Sequence, residues 1–249
     1  MMSDTVWQRG RGAIVTGKGF PKLAPVVRPS VADQVFEAVQ TRILTLDLPP
    51  GSKLSEAEVS GQLGVSRQPV REAFKRLAAQ GFLQIRPQRS TTVSYISEAA
   101  VLKARFIRTA LETHTCREAC RVLTQPDFDA LSQVIDGQAL AVADNDRAGF
   151  HALDEQFHRE ICTRSGVGYA WDIIHDCKAH MDRIRLLSLS AASQQHALAE
   201  HILIRDAMVR NDPEAAAAAM TTHLARIIVQ IEAIKATNHE WFTDDALGG

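Results

Sequence analysis

The stretch GVSRQPVREAFKRL, residues 64–77, decides the fold. Ser66 is a favoured helix N-cap type, and Pro69 then falls in the first turn, where a missing backbone N–H has no intrahelical partner to lose. The helix so started sorts its residues onto two faces. Val70, Ala73, Phe74 and Leu77 form an apolar stripe, whereas Arg67, Arg71 and Lys75, each four residues from the next, form a basic one. One face packs and the other is presented to a partner.

The residues on either side supply the rest of a small unit. Ser30 caps a helix in which Val31, Val35, Val39 and Ile43 recur at near-helical spacing, and DLPPGSKL (47–54) stops it. SEAEVSGQL (55–63) begins with Ser55 and Glu58 in capping-box spacing and predicts a short second helix with Val59 and Leu63 inward. Gly64 supplies the turn into the third. After Gly81, FLQIRPQRSTTVSYI (82–96) predicts two short strands around a polar, basic turn at 87–90, which is a winged hairpin. Residues 29–96 therefore read as a winged helix-turn-helix.

Such a unit meets the needs of duplex recognition. An α-helix fits the major groove with its N-terminal residues at base edges, and a basic hairpin lies along the backbone or in the minor groove. Arg67 is the first choice for base reading, because a guanidinium gives two hydrogen bonds to guanine. Arg71 reads a base or holds a phosphate, Gln68 meets a base edge, and Arg89 on the wing meets backbone or minor groove. A capped, solvated surface helix would show the same local pattern.

Bulk composition agrees with a folded two-part chain. Over 249 residues, 45% are hydrophobic and 23% charged, which excludes a mostly disordered protein. The net charge of -1 conceals an asymmetry: residues 1–95 hold 13 Lys and Arg against 7 Asp and Glu, and the remainder holds 15 against 22. A basic first part suits a polyanion, and an acidic second part has another task. The four cysteines, Cys116, Cys120, Cys162 and Cys177, form no C-x-x-C pair and lie in apolar helical patterns, as reduced core thiols in a cytoplasmic protein would. No run approaches the roughly 18 apolar residues of a membrane span, and no secretory signal is seen. Residues 1–28 read as a flexible arm and 238–249 as a flexible tail. Between them, 97–237 reads as an all-helical bundle, with helices at 98–123, 127–143, 146–164, 169–188, 192–210 and 213–236. The fold class is mainly α.

The helical part carries a second constellation. Asp154 and His158 in HALDEQFHREI share a helix face. His201 lies ten residues before Asn211 and His223 ten after Pro213. Folding the last two helices into a hairpin sets both about 15 Å from the turn, level with each other. One carboxylate and three imidazoles suit a divalent transition metal such as zinc, nickel, manganese or iron. The alternative is scattered surface histidines, since the chain has nine. His175, His180, Arg183 and Arg185 are further residues that can reach such a cavity.

The segment LPPGSKLSEAEVSGQLGVSRQPVREAFKRLAAQGFLQI resembles the signature of the GntR family of bacterial transcription regulators, with Ala57 and Ser90 where many relatives carry an arginine and a wing glycine. Residues 97–235 are similar to the C-terminal FCD domain of the FadR subfamily. That resemblance implies a helical bundle in which Asp154, His158, His201 and His223 bind the metal. It also implies that Arg108, in RTALE, faces an effector carboxylate; Arg185, by its position in MDRIRLL, is a second candidate effector contact, with surface ion pairing as its alternative. SGVGYA (165–170) departs from the more usual Ser-Gly-Asn-Pro pattern. The expected protein is a homodimeric regulator, such as a repressor, of a palindromic double-stranded operator, controlled by a small carboxylate metabolite and not an enzyme. Two other classes fit the residues. A metal-dependent hydrolase would need a base, and Glu155, the only one nearby in sequence, points about 100° from Asp154. An architectural DNA binder with a degenerate sensor would keep the basic helix without a working metal site.

Overall fold

The computed structural model describes residues 29–86 and 90–243. The N-terminal unit holds α1 (Val31–Leu44), α2 (Glu56–Leu63) and α3 (Arg67–Ala79), with β1 (Lys53–Leu54), β2 (Leu83–Arg86) and β3 (Ser90–Val93). The sheet is antiparallel in the order β1-β3-β2, and pairs from Leu83–Val93 to Arg86–Ser90 close the expected hairpin. Strand β1 is an addition, since two residues are too few to show an alternation. The apolar stripe of α3 is buried as its spacing predicts: Val70, Ala73, Phe74 and Leu77 pack with Val35, Val39 and Ile43 of α1. Burying a side chain the size of Phe74 or Leu77 stabilises the unit by about 1.5–3 kcal/mol.

Local details differ from the sequence reading. Val31 and Leu63, expected inside, are 48% and 42% exposed, because each is the terminal residue of its helix and the stripe there outruns the core. Ser55 occupies the N-cap of α2 but its hydroxyl makes no capping hydrogen bond, and the Glu58 carboxylate accepts instead from the Gln62 amide at 3.3 Å. The capping box forms on α1, where Ser30 and Asp33 exchange hydrogen bonds of 3.1 and 2.9 Å. Gly64 ends α2 at φ +66°, a left-handed conformation that costs glycine least.

The helical part comprises α4 (Glu98–Val122), α5 (Gln125–Ala143), α6 (Arg147–Arg164), α7 (Gly168–Cys177), α8 (Ala179–Ser188), α9 (Ala191–Val209), α10 (Pro213–Ala225) and α11 (Ile227–Thr237). Helices α4, α5, α6, α9 and α10 enclose the main core, including Leu131, Phe157, Ile204 and Met220. Two helices expected to be continuous are broken, at Lys178 and at Arg226. Neither break has a glycine or proline. In both, a long basic side chain reaches carboxylates on other helices: Lys178 contacts Glu155, and Arg226 contacts Glu200 at 3.1 Å. Tertiary pairing thus prevails over local propensity.

The expectation of a flexible tail from 238 is corrected for residues 238–243. The Ile96 N–H donates to the Trp241 carbonyl at 2.8 Å, the Thr243 N–H donates to the Ile96 carbonyl at 3.0 Å, and Phe242 is buried. Two ladder-type bonds and an apolar anchor offset the entropy of ordering the segment. Residues 1–28, 87–89 and 244–249, including the expected arm and Arg89, lie outside the described residues.

Helix α8 joins the two parts. Ala179 packs into the core of the N-terminal unit, the Arg183 guanidinium donates to the Ser94 carbonyl at 2.6 Å, and His180 Nδ1 accepts from the Ser97 N–H at 3.3 Å. Among the described residues no helix is long and apolar enough to cross a membrane.

Candidate functional site

Four side chains from three helices converge inside the bundle. Asp154 and His158 stand one turn apart on α6, His201 comes from α9 and His223 from α10. One oxygen or nitrogen of each lies within 4.8 Å of the others, and all four residues are buried. The hairpin of α9 and α10 brings its two histidines level: their ring centroids are 4.6 Å apart.

The outer nitrogens of the three imidazoles determine what faces inward. His158 Nδ1 lies 2.5 Å from a Glu112 oxygen, His201 Nδ1 2.8 Å from Gln138 Oε1, and His223 Nδ1 2.9 Å from a Glu200 oxygen. Acceptors hydrogen-bonded at His201 Nδ1 and His223 Nδ1, and the Glu112 carboxylate beside His158 Nδ1 though off the hydrogen-bond direction, assign a proton to each Nδ1 and turn the Nε2 lone pairs into the cluster. His158 Nε2 and His223 Nε2 are then 3.2 Å apart with no proton to share. Asp154 Oδ1 and His201 Nε2, 3.5 Å apart, are buried and have no hydrogen-bond partner. Leaving such groups unsatisfied costs about 1–3 kcal/mol each. With the protons on Nδ1, three nitrogens and one oxygen face one another as acceptors, a set that fits a divalent transition metal.

The charge state agrees with that fit. Burial is the largest single influence and opposes ionisation of Asp154, but the adjacent Arg185 guanidinium and the three imidazoles together outweigh it and hold the carboxyl well below the usual range. Burial pushes His201 well down and His223 down, which keeps both imidazoles neutral as ligands require.

A cavity of about 50 Å³ adjoins the cluster, lined by Asp154 and His223 with Arg108, Arg185 and Arg226, and by Phe150, Met181 and Leu189 on the apolar side. A single water needs roughly 10–15 Å³ by this measure, so there is room for a few waters or a small acid. Arg108 is 1% exposed and donates through Nε to Glu112 at 2.6 Å, while its Nη2 has no partner. Burial opposes its charge, but the Glu112 carboxylate, with Glu155 and Asp154 beyond it, more than offsets this and holds the guanidinium above its ordinary range. Arg185 contacts Asp154 and lies 3.3 Å from Glu155. Arg183, His175 and His180 do not reach the cavity. They face the N-terminal unit, with His175 3.4 Å from Gln80.

The presented face of α3 is open. Arg67, Gln68 and Lys75 are exposed, and Arg71 is exposed but held by Glu56 at 2.9–3.1 Å. Glu56 thereby orients Arg71 on the same face as Arg67. Four residues escaped the sequence reading as supports of the site: Glu112, Gln138, Glu200 and Arg226. Glu112 had a signal, as the last residue of RTALE. Glu200 precedes His201 yet serves His223, and nothing in the spacing of Gln138 marks it.

Comparison with known proteins agrees with both halves. Residues 31–93 match the family described as bacterial regulatory proteins, gntR family, and residues 104–226 match the FCD domain. The HTH-type transcriptional repressor RspR of Escherichia coli (strain K12) is 37% identical over 86% of this chain and 95% of its own. The probable D-xylose utilization operon transcriptional repressor of Paenarthrobacter nicotinovorans is 32% identical over 80% of this chain and 88% of its own. Among solved structures, E. coli McbR/YncC superposes with a TM-score of 0.71 at 21% identity, covering 83% of this chain and 99% of that one, which supports the fold. The chain belongs to the gntR family of bacterial regulatory proteins, as a DNA-binding transcriptional regulator with an N-terminal helix-turn-helix and a C-terminal FCD domain.

Proposed function

We propose that the protein is a homodimeric, cytoplasmic repressor whose operator binding is controlled by a small organic acid held beside a divalent transition metal, zinc first. Asp154, His158, His201 and His223 hold the metal, and Arg108 and Arg185 hold the acid. The observation that carries this reading is the set of four inward acceptors, three of them anchored from behind, next to a cavity lined by guanidiniums. A bound metal would supply a Lewis-acid site for the effector carboxylate. Arg67 and Gln68 read base edges, Arg71 reads a base or holds a phosphate, and Arg89 meets the backbone or minor groove. The repressor sense is taken from the names of the relatives RspR and the D-xylose operon regulator.

Dimer symmetry makes half-site spacing a condition for tight binding. An effector that prefers one arrangement of α8 shifts the operator affinity by its difference in affinity for the two arrangements. Helix α8 is suited to this, because Arg185 contacts Asp154 while Arg183 and His180 contact the exit of the N-terminal unit.

The reading is of a regulator, not an enzyme. Glu155, the nearest candidate base, is tied to Lys178 and Arg185. Burial opposes its charge, but the Lys178 ammonium, the Arg185 guanidinium and further neighbouring cations together lower it to about 2, a poor base for hydrolysis. An architectural binder with a degenerate sensor would have no reason to keep three anchored imidazoles. The test is anisotropy with a duplex selected from a random library, using metal-loaded and chelated protein with a panel of organic acids. The reading expects one acid to change the operator Kd by about 5- to 150-fold only when metal is loaded. No change with any acid in either state would refute it.

A further inference from the structure

The cavity lining holds three guanidiniums and one carboxylate, Asp154. Each guanidinium is tied to one member of the ligand set. Arg185 contacts Asp154 directly, Arg108 reaches His158 through Glu112, and Arg226 reaches His223 through Glu200. The first two serve the acid effector already described, whereas the third has no role in it.

Arg226 is distinct in three ways. It occupies the break between α10 and α11, where a single helix is expected across 213–236. It is 35% exposed, at the open side of the cavity, whereas Arg108 is 1% exposed at its depth. It donates one N–H to Glu200 at 3.1 Å, and no other hydrogen bond of its guanidinium is formed among the described residues. Glu200 in turn is anchored by His223, so Arg226 is held in orientation with donors to spare. Gln230, one turn further along α11, adds an amide to the same wall.

An acid with a single carboxylate, seated on the metal, Arg108 and Arg185, would leave Arg226 unused. We propose that Arg226 reads a second carboxylate, so that the effector class is a short dicarboxylate and this residue sets the selection against monocarboxylates. The inference rests on the acid-effector reading above.

The test is calorimetric titration of the zinc-loaded full chain with butanedioate and with butanoate, which share a carbon count. Butanedioate should bind about 10- to 100-fold tighter, the worth of one charge-assisted hydrogen bond. In protein verified to hold its full zinc, Arg226→Gln should bring butanedioate to the level of butanoate, and Arg226→Lys should keep part of the preference. Equal binding of the two acids by the wild type overturns the proposal and leaves the acid-effector reading standing, as does a preference that survives in Arg226→Gln. Should Arg226→Gln fail to fold, Arg226→Lys decides, and an undiminished preference there overturns the proposal. Binding of neither acid defeats the acid-effector reading itself, and this inference with it.

Discussion

At the scale of single residues, the site is a set of buried charges that make sense only together. Glu112 is 2% exposed and lies between Arg108 and His158, so its removal strands a buried guanidinium. Glu112→Ala should therefore destabilise the fold by about 3–5 kcal/mol, read as a shift in denaturant midpoint. A change below about 1 kcal/mol would mean that Arg108 finds another partner. On the DNA face, Arg67 has no ion pair among the described residues and Arg71 has one. Arg67→Ala should cost about 1–3 kcal/mol on the preferred duplex and little on random DNA. A loss uniform across sequences would reassign Arg67 to phosphate. The cluster of Asp154, His158, His201 and His223 was legible because helix periodicity and the α9–α10 hairpin place the four side chains together. Their supports Gln138 and Glu200 were not, because a side chain that meets a histidine across an interhelical gap leaves no trace in spacing.

Among elements, the two helix breaks mark what sequence cannot show. The pattern of 169–188 reads as one helix, and only the buried reach of Lys178 to Glu155 and Asp182 interrupts it. The start of α8 consequently packs against the N-terminal unit, where Gly81, at φ +84°, passes close to His180. A β-carbon at Gly81 would lie 3.1 Å from His180 Nε2, and its backbone is left-handed. Gly81→Ala should lose about 1 kcal/mol or more in the same denaturant measurement. Burial lowers His180 to about 4, with Arg183 adding to the effect. The unfolded imidazole, near 6.5, thus binds its proton before the folded one does. The stability that neutral His180 contributes is complete above about pH 6.5 and is lost as pH falls from there towards about 4. The difference in midpoint between pH 7 and pH 5 should shrink in His180→Gln, and an unchanged difference would show that His180 titrates freely in the fold. The winged hairpin and the three N-terminal helices were legible from caps, turns and stripes. Strand β1 and the ordered segment 238–243 were not, because each depends on a distant backbone partner: Thr91 and Thr92 for β1, Ile96 for the tail.

For the whole molecule, the basic N-terminal part meets the duplex and, in the proposed function, the acidic C-terminal part meets the effector; α8 touches both parts. The account depends on the four inward acceptors holding a cation, since the effector and the coupling through α8 both start there. The most direct test is elemental analysis of the purified wild type beside His201→Ala and His223→Ala, each checked for an intact circular dichroism spectrum. The account predicts about one transition-metal ion per wild-type chain and loss of most of it in either variant. A wild type free of metal after loading, or variants that keep the full complement, would contradict it.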